Sequence, residues 1–204
     1  MNLQLATSAG VGLVAVYGDD GGAGFLVVLT HGAGGLPGTT DLLAARDAAL
    51  AAGGAVALVT QPYRVRGARA PGSAVLQDKA WTEIVAALRA EIPAAASVIV
   101  GGRSNGARVA CRTARAVGAR GVIALAFPLR PPGKPGSSRV GELREPRAAG
   151  IAVLVVNGER DPFGIPDAAD ADRVVVVPGE THAMKGHTAV VRAAVAEWLA
   201  ELPI

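Results

Sequence analysis

A chain of 204 residues, half of them hydrophobic, is long enough to bury one substantial core and too apolar to remain disordered. Its net charge of +3 comes mostly from arginines scattered among seventeen acids, a balance too even for a phosphate-binding surface, so no nucleic-acid partner is expected. No apolar run spans a bilayer, the first ten residues lack the basic and apolar blocks of an export signal, and the lone Cys111 forms no internal disulfide; the expected compartment is the cytoplasm, without membrane partners.

In chain order the apolar runs are Gly12 to Tyr17, Phe25 to Thr30, Ala55 to Thr60, Ser97 to Val100, Gly121 to Phe127, Ile151 to Val156 and Arg173 to Val177. Most are continuous rather than alternating, the pattern of strands covered on both faces. Helical patterns lie between them. Asp41 to Ala52 has Thr40 or Asp41 as its N-cap and ends at Gly53-Gly54, while Asp78 to Ile92 gathers Trp81, Ile84, Val85 and Leu88 on one face and stops at Pro93. Ala107 to Ala116 forms a third helix of small residues, and Thr188 to Leu202 closes the chain with Val191, Val195, Trp198 and Leu199 in its buried stripe. Alternating strands and helices predict a single α/β domain over residues 1–204, built on a mostly parallel, doubly wound sheet. The first two strands, joined by Asp19-Asp20-Gly21-Gly22, are expected to pair as an antiparallel edge hairpin, and Pro128 to Ala149 reads as irregular.

Gly102-Arg103-Ser104-Asn105-Gly106 follows the fourth run and leads directly into a helix. This G-x-S-x-G in a strand, turn, helix context is a nucleophile elbow, with Ser104 exposed on a turn too tight for side chains at Gly102 or Gly106. A serine hydroxyl is a poor nucleophile at neutral pH and needs a base, which in turn needs an orienting group. The chain holds only three histidines. His31 precedes the elbow and reads as an anchor of the turn His31-Gly32-Ala33-Gly34-Gly35; His182, in the loop after the last strand, is the expected base; His187, at the start of the final helix, reads as solvated or capping. Asp161, in Asn157-Gly158-Glu159-Arg160-Asp161-Pro162, is the expected orienter, with Glu159 as a geometric substitute.

Developing negative charge on a substrate oxygen calls for two aimed donors. The backbone N–H groups of Asn105 and Ala33 are the candidates, with Gly34 as an alternative to Ala33. Asp167, Asp170 and Asp172 read as a polar helix start rather than a metal loop, and no Cys or His cluster has ligand spacing, so neither metal nor cofactor is expected. Arg64, Arg66 and Arg69 form the one local basic group, a solvated loop or a pocket rim favouring anions. Tyr63, Phe163, Met184 and the Arg64 to Arg69 loop are the candidate pocket walls.

His31 to Gly35, Gly101 to Arg108, the Phe127-Pro128-Leu129-Arg130-Pro131-Pro132-Gly133 run, and Gly158 to Gly164 followed by His182 resemble the small uncapped α/β-hydrolases related to dienelactone hydrolase. More narrowly, the chain is similar to the bacterial branch of the group that includes testis-expressed protein 30 and NSL-complex subunit 3. The resemblance spans about Phe25 to Leu199 and implies an α/β-hydrolase fold without a cap domain, with Ser104 as nucleophile, His182 as base and Asp161 as acid. Thr181 and Met184 depart from the Asp and aromatic residue that relatives commonly carry around this histidine. The expected function is a serine hydrolase acting on a small-molecule ester or thioester; the rival is a binding or scaffold protein that keeps the fold without useful turnover.

Overall fold

The computed structural model describes residues 1–19, 21–93, 95–134 and 136–204. Its eight strands are β1 (Asn2–Thr7), β2 (Gly10–Tyr17), β3 (Phe25–Thr30), β4 (Ala55–Thr60), β5 (Ser97–Arg103), β6 (Gly121–Leu125), β7 (Ala152–Gly158) and β8 (Arg173–Val177). The helices are α1 (Thr40–Ala51), α2 (Pro62–Val65), α3 (Ala74–Glu91), α4 (Asn105–Thr113), α5 (Val140–Ala148) and α6 (Thr188–Glu201). The strands form one sheet in the order β1-β2-β4-β3-β5-β6-β7-β8, parallel from β4 to β8 and antiparallel at the β1 and β2 edge.

Continuous apolar runs place β3 and β6 in the interior, every residue of both being buried. Successive side chains of β3 then serve two cores. Leu26 and Val28 join Trp81, Ile84 and Leu88 of α3 and Val109 of α4, whereas Phe25, Val27 and Leu29 join Leu42 and Ala45 of α1 and Val191 and Trp198 of α6. Each fully buried aliphatic side chain of this kind contributes roughly 1.5–3 kcal/mol. Two apolar layers therefore hold the sheet rigid from both sides, and a rigid sheet fixes where its strands end.

Several expectations are corrected. The strands around Gly12 to Tyr17 and Phe25 to Thr30 do not pair with each other; β2 lies between β1 and β4, and the edge hairpin is β1–β2. Asp20, in the run that joins β2 to β3, lies outside the described residues. Strand β1 escapes a sequence reading because its side chains alternate between exposed and half-buried and form no apolar run. Neither Thr40 nor Asp41 caps α1: Thr39 holds that position in an extended conformation without a side-chain bond, and Asp41 is fully buried elsewhere in the first turn. Part of Pro128 to Ala149, in which Pro135 is outside the described residues, forms α5, with Pro146 in its last turn and Leu143 fully buried. No helix among the described residues is long and apolar enough to cross a membrane.

Because β3 to β8 run parallel, the segments that follow β3, β5, β7 and β8 emerge along one edge of the sheet. Ala33, Ser104, Asn105, Asp161 and His182 all lie on those segments.

Candidate active site

Ser104 stands between β5 and α4 with φ +54° and ψ −111°, a conformation that costs a non-glycine residue about 1–3 kcal/mol. Contacts around it leave no alternative. A Cβ added to Gly102 would come within 2.6 Å of the Thr30 carbonyl oxygen and 2.7 Å of the Gly106 carbonyl carbon, and one added to Gly106 within 2.6 Å of Thr30 O and 2.8 Å of His31 O. Those obstacles are backbone atoms and cannot rotate aside. The turn is held further by the Ser104 N–H, which donates to Leu125 O at 2.9 Å.

His182 meets the serine from the loop after β8. Its Nε2 is 2.9 Å from Ser104 Oγ, and its Nδ1 is 2.8 Å from Asp161 Oδ2. An ionised carboxylate only accepts, so the Nδ1–H donates to Asp161 and Nε2 is left to accept from the Ser104 hydroxyl. Asp161 has a fully buried side chain and takes a second bond from the Phe163 N–H at 2.9 Å. The Phe163 ring stands edge-on to the imidazole, centroids 4.6 Å apart at 84°. Close approach of the two loops depends on Gly158, where a Cβ would lie 2.5 Å from Glu180 O and 2.7 Å from Thr181 O. The buried Asn157 fixes the strand end below them, accepting from Phe127 N–H at 2.8 Å and donating to Phe127 O at 3.0 Å.

The two amides expected to face a substrate oxygen are also available. Asn105 is the first residue of α4, where a helix has no internal acceptor for its N–H, and no acceptor for it occurs among the described residues. Ala33 is turned by its carbonyl, which accepts from the Tyr63 hydroxyl at 2.8 Å, and its N–H likewise meets no acceptor among the described residues. A Cβ on Gly32 would sit 3.3 Å from Ser104 Cβ, so the glycine turn passes directly beside the serine.

A family model for the alpha/beta hydrolase domain matches residues 23–184, most of the chain. The chain belongs to that family. Among solved structures, this alpha/beta hydrolase domain is similar to Est1E from Butyrivibrio proteoclasticus, whose structure has ferulic acid bound, with a TM-score of 0.80, 15% identity and 98% of both chains covered. It is similar also to a serine hydrolase without lid from Xanthomonas campestris, with a TM-score of 0.73, 19% identity and coverage of 100% of this chain and 95% of that one. A dienelactone hydrolase from Anabaena variabilis aligns with a TM-score of 0.70, 16% identity and 99% and 97% coverage. At these identities the likeness is one of fold. Among curated proteins none matches the chain in sequence.

The remaining sequence candidates divide around the site of this alpha/beta hydrolase domain. His31 is buried and anchors its turn: its Nδ1–H donates to Gly32 O at 2.8 Å and its Nε2 accepts from Gln61 N–H at 3.0 Å, with burial lowering its pKa. His187 holds the N-cap position just before α6 but makes no capping bond; its half-exposed ring pairs with Glu180 at 3.2 Å, which draws the Glu180 pKa down. Glu159 turns away and accepts from Gly179 N–H at 2.8 Å. Asp167 and Asp170 form a capping box on a short 3-10 turn, and among the described residues no cluster of His, Cys, Asp and Glu is arranged to hold a metal. Cys111 is buried in the core, where burial raises its pKa.

A cavity of about 180 Å³ lies beside the site, between α2, the start of α3 and the 66–73 loop. It touches the site through Tyr63 and through Gln77, whose Oε1 accepts from the Asn105 side-chain amide at 3.3 Å. Of the candidate pocket walls, Tyr63 and Arg66 line this cavity, Phe163 stands against His182 instead, and Met184 is core, 1% exposed and packed among α1 and α6 side chains. Arg64 and Arg66 spend bonds on the backbone carbonyls of Gly35, Ala68 and Ala9. Sequence reasoning assigned no role to Asn157, Gln77 or Arg103, although Asn157 and Arg103 lie inside the acid and elbow motifs.

Proposed function

We propose that the protein is a serine hydrolase that cleaves a carboxylic ester or thioester through an acyl-enzyme. In this reading Ser104 Oγ attacks the substrate carbonyl while its proton passes to His182 Nε2. Asp161 stabilises the imidazolium, and the amides of Asn105 and Ala33 hold the tetrahedral oxyanion. Collapse expels the alcohol or thiol, which takes the proton from His182. Water then repeats the sequence on the acyl group and releases the acid. General acid–base help contributes on the order of 10²–10⁴ in rate, and each oxyanion donor about 10²–10³.

The observation that carries the reading is the unbroken chain from Asp161 Oδ2 through His182 to Ser104 Oγ, with contacts of 2.8 and 2.9 Å, ending on a strained elbow. The same proposal takes residues 1–204 as one domain in the cytoplasm. It assigns the chain to the branch that includes testis-expressed protein 30 and NSL-complex subunit 3, on the motifs His31 to Gly35 and Gly101 to Arg108.

Hydrolysis of p-nitrophenyl acetate, alongside a thioester and a lactone, tests it. Ser104→Ala and His182→Ala should each remove nearly all turnover, and Asp161→Asn about 10⁴-fold in kcat. Folded wild-type protein that turns over none of these substrates favours a scaffold that keeps the fold alone.

A further inference from the structure

Arg103 occupies the variable position of the elbow motif and takes no part in the proposed chemistry, yet its guanidinium bridges separate segments of the site. Its Nε lies 3.1 Å from Asp41 Oδ2, a carboxylate with no exposed surface in the first turn of α1. Its Nη2 donates to the main-chain carbonyl of His182 at 2.5 Å. Its Nη1 lies under the turn after β3, where a Cβ on Gly32 would come within 3.3 Å of it. One rigid, planar fork, rooted next to Ser104, therefore contacts α1, the segment of the candidate oxyanion donor Ala33, and the residue that supplies the imidazole. The Asp41 contact is ionic rather than an aligned hydrogen bond, for neither Nε nor Oδ2 has a hydrogen-bond partner among the described residues. A carboxylate so buried depends on that charge, because removing one member of a buried pair strands the other.

The loop of His182 needs tethers. Met184 and His187 both have positive φ, +46° and +44°, conformations that side chains hold only under constraint from their surroundings. The first turn of α1 supplies one constraint directly, since Thr40 Oγ1 donates to Met184 O at 3.1 Å. Asp41, one residue on, supplies the other through Arg103.

We propose that Arg103 is a positioning residue: by tying the His182 main chain to the buried Asp41, it sets the imidazole at hydrogen-bonding distance from Ser104 and in register with the oxyanion turn. The inference rests on Ser104 and His182 being nucleophile and base. Lysine cannot replace it fully, because a single ammonium meets Asp41 or the carbonyl but does not span both.

The test compares Arg103→Ala, Arg103→Lys and Asp41→Asn with wild type, in p-nitrophenyl acetate hydrolysis and in the rate at which a fluorophosphonate labels Ser104. Arg103→Ala should lose about 10–100-fold in kcat with KM within about twofold, the signature of lost alignment rather than lost binding. Millimolar guanidinium chloride should restore part of that kcat and sodium chloride none, whereas Arg103→Lys and Asp41→Asn should fall between Ala and wild type. Wild-type kcat in Arg103→Ala, or a loss that guanidinium does not reverse, overturns the proposal. If the alanine variant does not fold, Arg103→Lys decides, and wild-type kcat there overturns it. A wild-type Ser104 that reacts with neither probe fails the hydrolase reading and this inference together; a reactive wild type matched by Arg103→Ala fails the inference alone.

Discussion

At the elbow, Gly102 and Gly106 press against the carbonyls of Thr30 and His31 with no room for a methyl group, so backbone atoms alone determine where Ser104 stands. The loop from Glu180 to His187 is held differently. Beyond the backbone contacts of Gly158 and Arg160 with Glu180 O, it is tied by bonds between side chains and backbone: Thr40 to Met184, Arg103 to His182, and Glu180, which accepts from the N–H of Gly186 at 2.7 Å. The nucleophile is thus positioned by steric exclusion, and the base by a set of separable tethers. Damage should be all-or-none in the first region and graded in the second.

The sharpest break in that contrast is Gly106→Ala. Its new methyl meets two carbonyl oxygens that cannot move, and overpacking of this kind costs about 3 kcal/mol or more, which lowers Tm by roughly 6 °C or more for a chain of this size. Thermal unfolding followed by circular dichroism checks it; an unchanged Tm would mean that the elbow is not sterically fixed.

In the histidine loop, His187→Ala removes an exposed partner of Glu180 and leaves the Glu180 bond to Gly186 in place. A pair with one half-exposed member contributes about 1 kcal/mol, and the His187 ring bonds to Glu180 rather than to Ser104, His182 or Asp161, so kcat should stay within about threefold of wild type. A dead His187 variant beside an active His182 variant would exchange the roles assigned to the two residues.

The smallest effect belongs to His31, which ties the turn after β3 to the end of β4. Burial lowers its folded pKa, so the folded state resists a proton that the unfolded chain accepts below about pH 6.5. Stability from the neutral ring is present above that pH and lost as pH falls through the lowered folded value, at no more than about 1.4 kcal/mol per pH unit. Urea unfolding between neutral and mildly acidic pH should show a steeper decline for wild type than for His31→Asn. Equal slopes would remove His31 from the account.

The same contrast explains what the sequence made legible. β3, β4 and β8 have the bounds their apolar runs predicted, and Ser104, Asp161 and His182, each chosen from a local pattern at a strand end, do meet. An elbow advertises itself because its glycines are neighbours in the chain. Arg103 contacts Asp41 and His182, 62 and 79 positions away, and Asp41 read naturally as a helix cap. Helix α5 was hidden for the same reason: Pro146 argues against it, while burial of Leu143 and the two bonds from Arg108 to Glu142, at 2.7 and 2.9 Å, argue for it only once the chain has folded. Local constraints can be read from local sequence; tethers between distant segments cannot.

The most direct test of the central claim is peptide mapping by mass spectrometry after brief exposure of folded protein to a fluorophosphonate. The account predicts one adduct, on Ser104, absent in Ser104→Ala and formed far more slowly in His182→Ala. Folded wild-type protein that carries no adduct on Ser104, or carries one equally fast without His182, would contradict it.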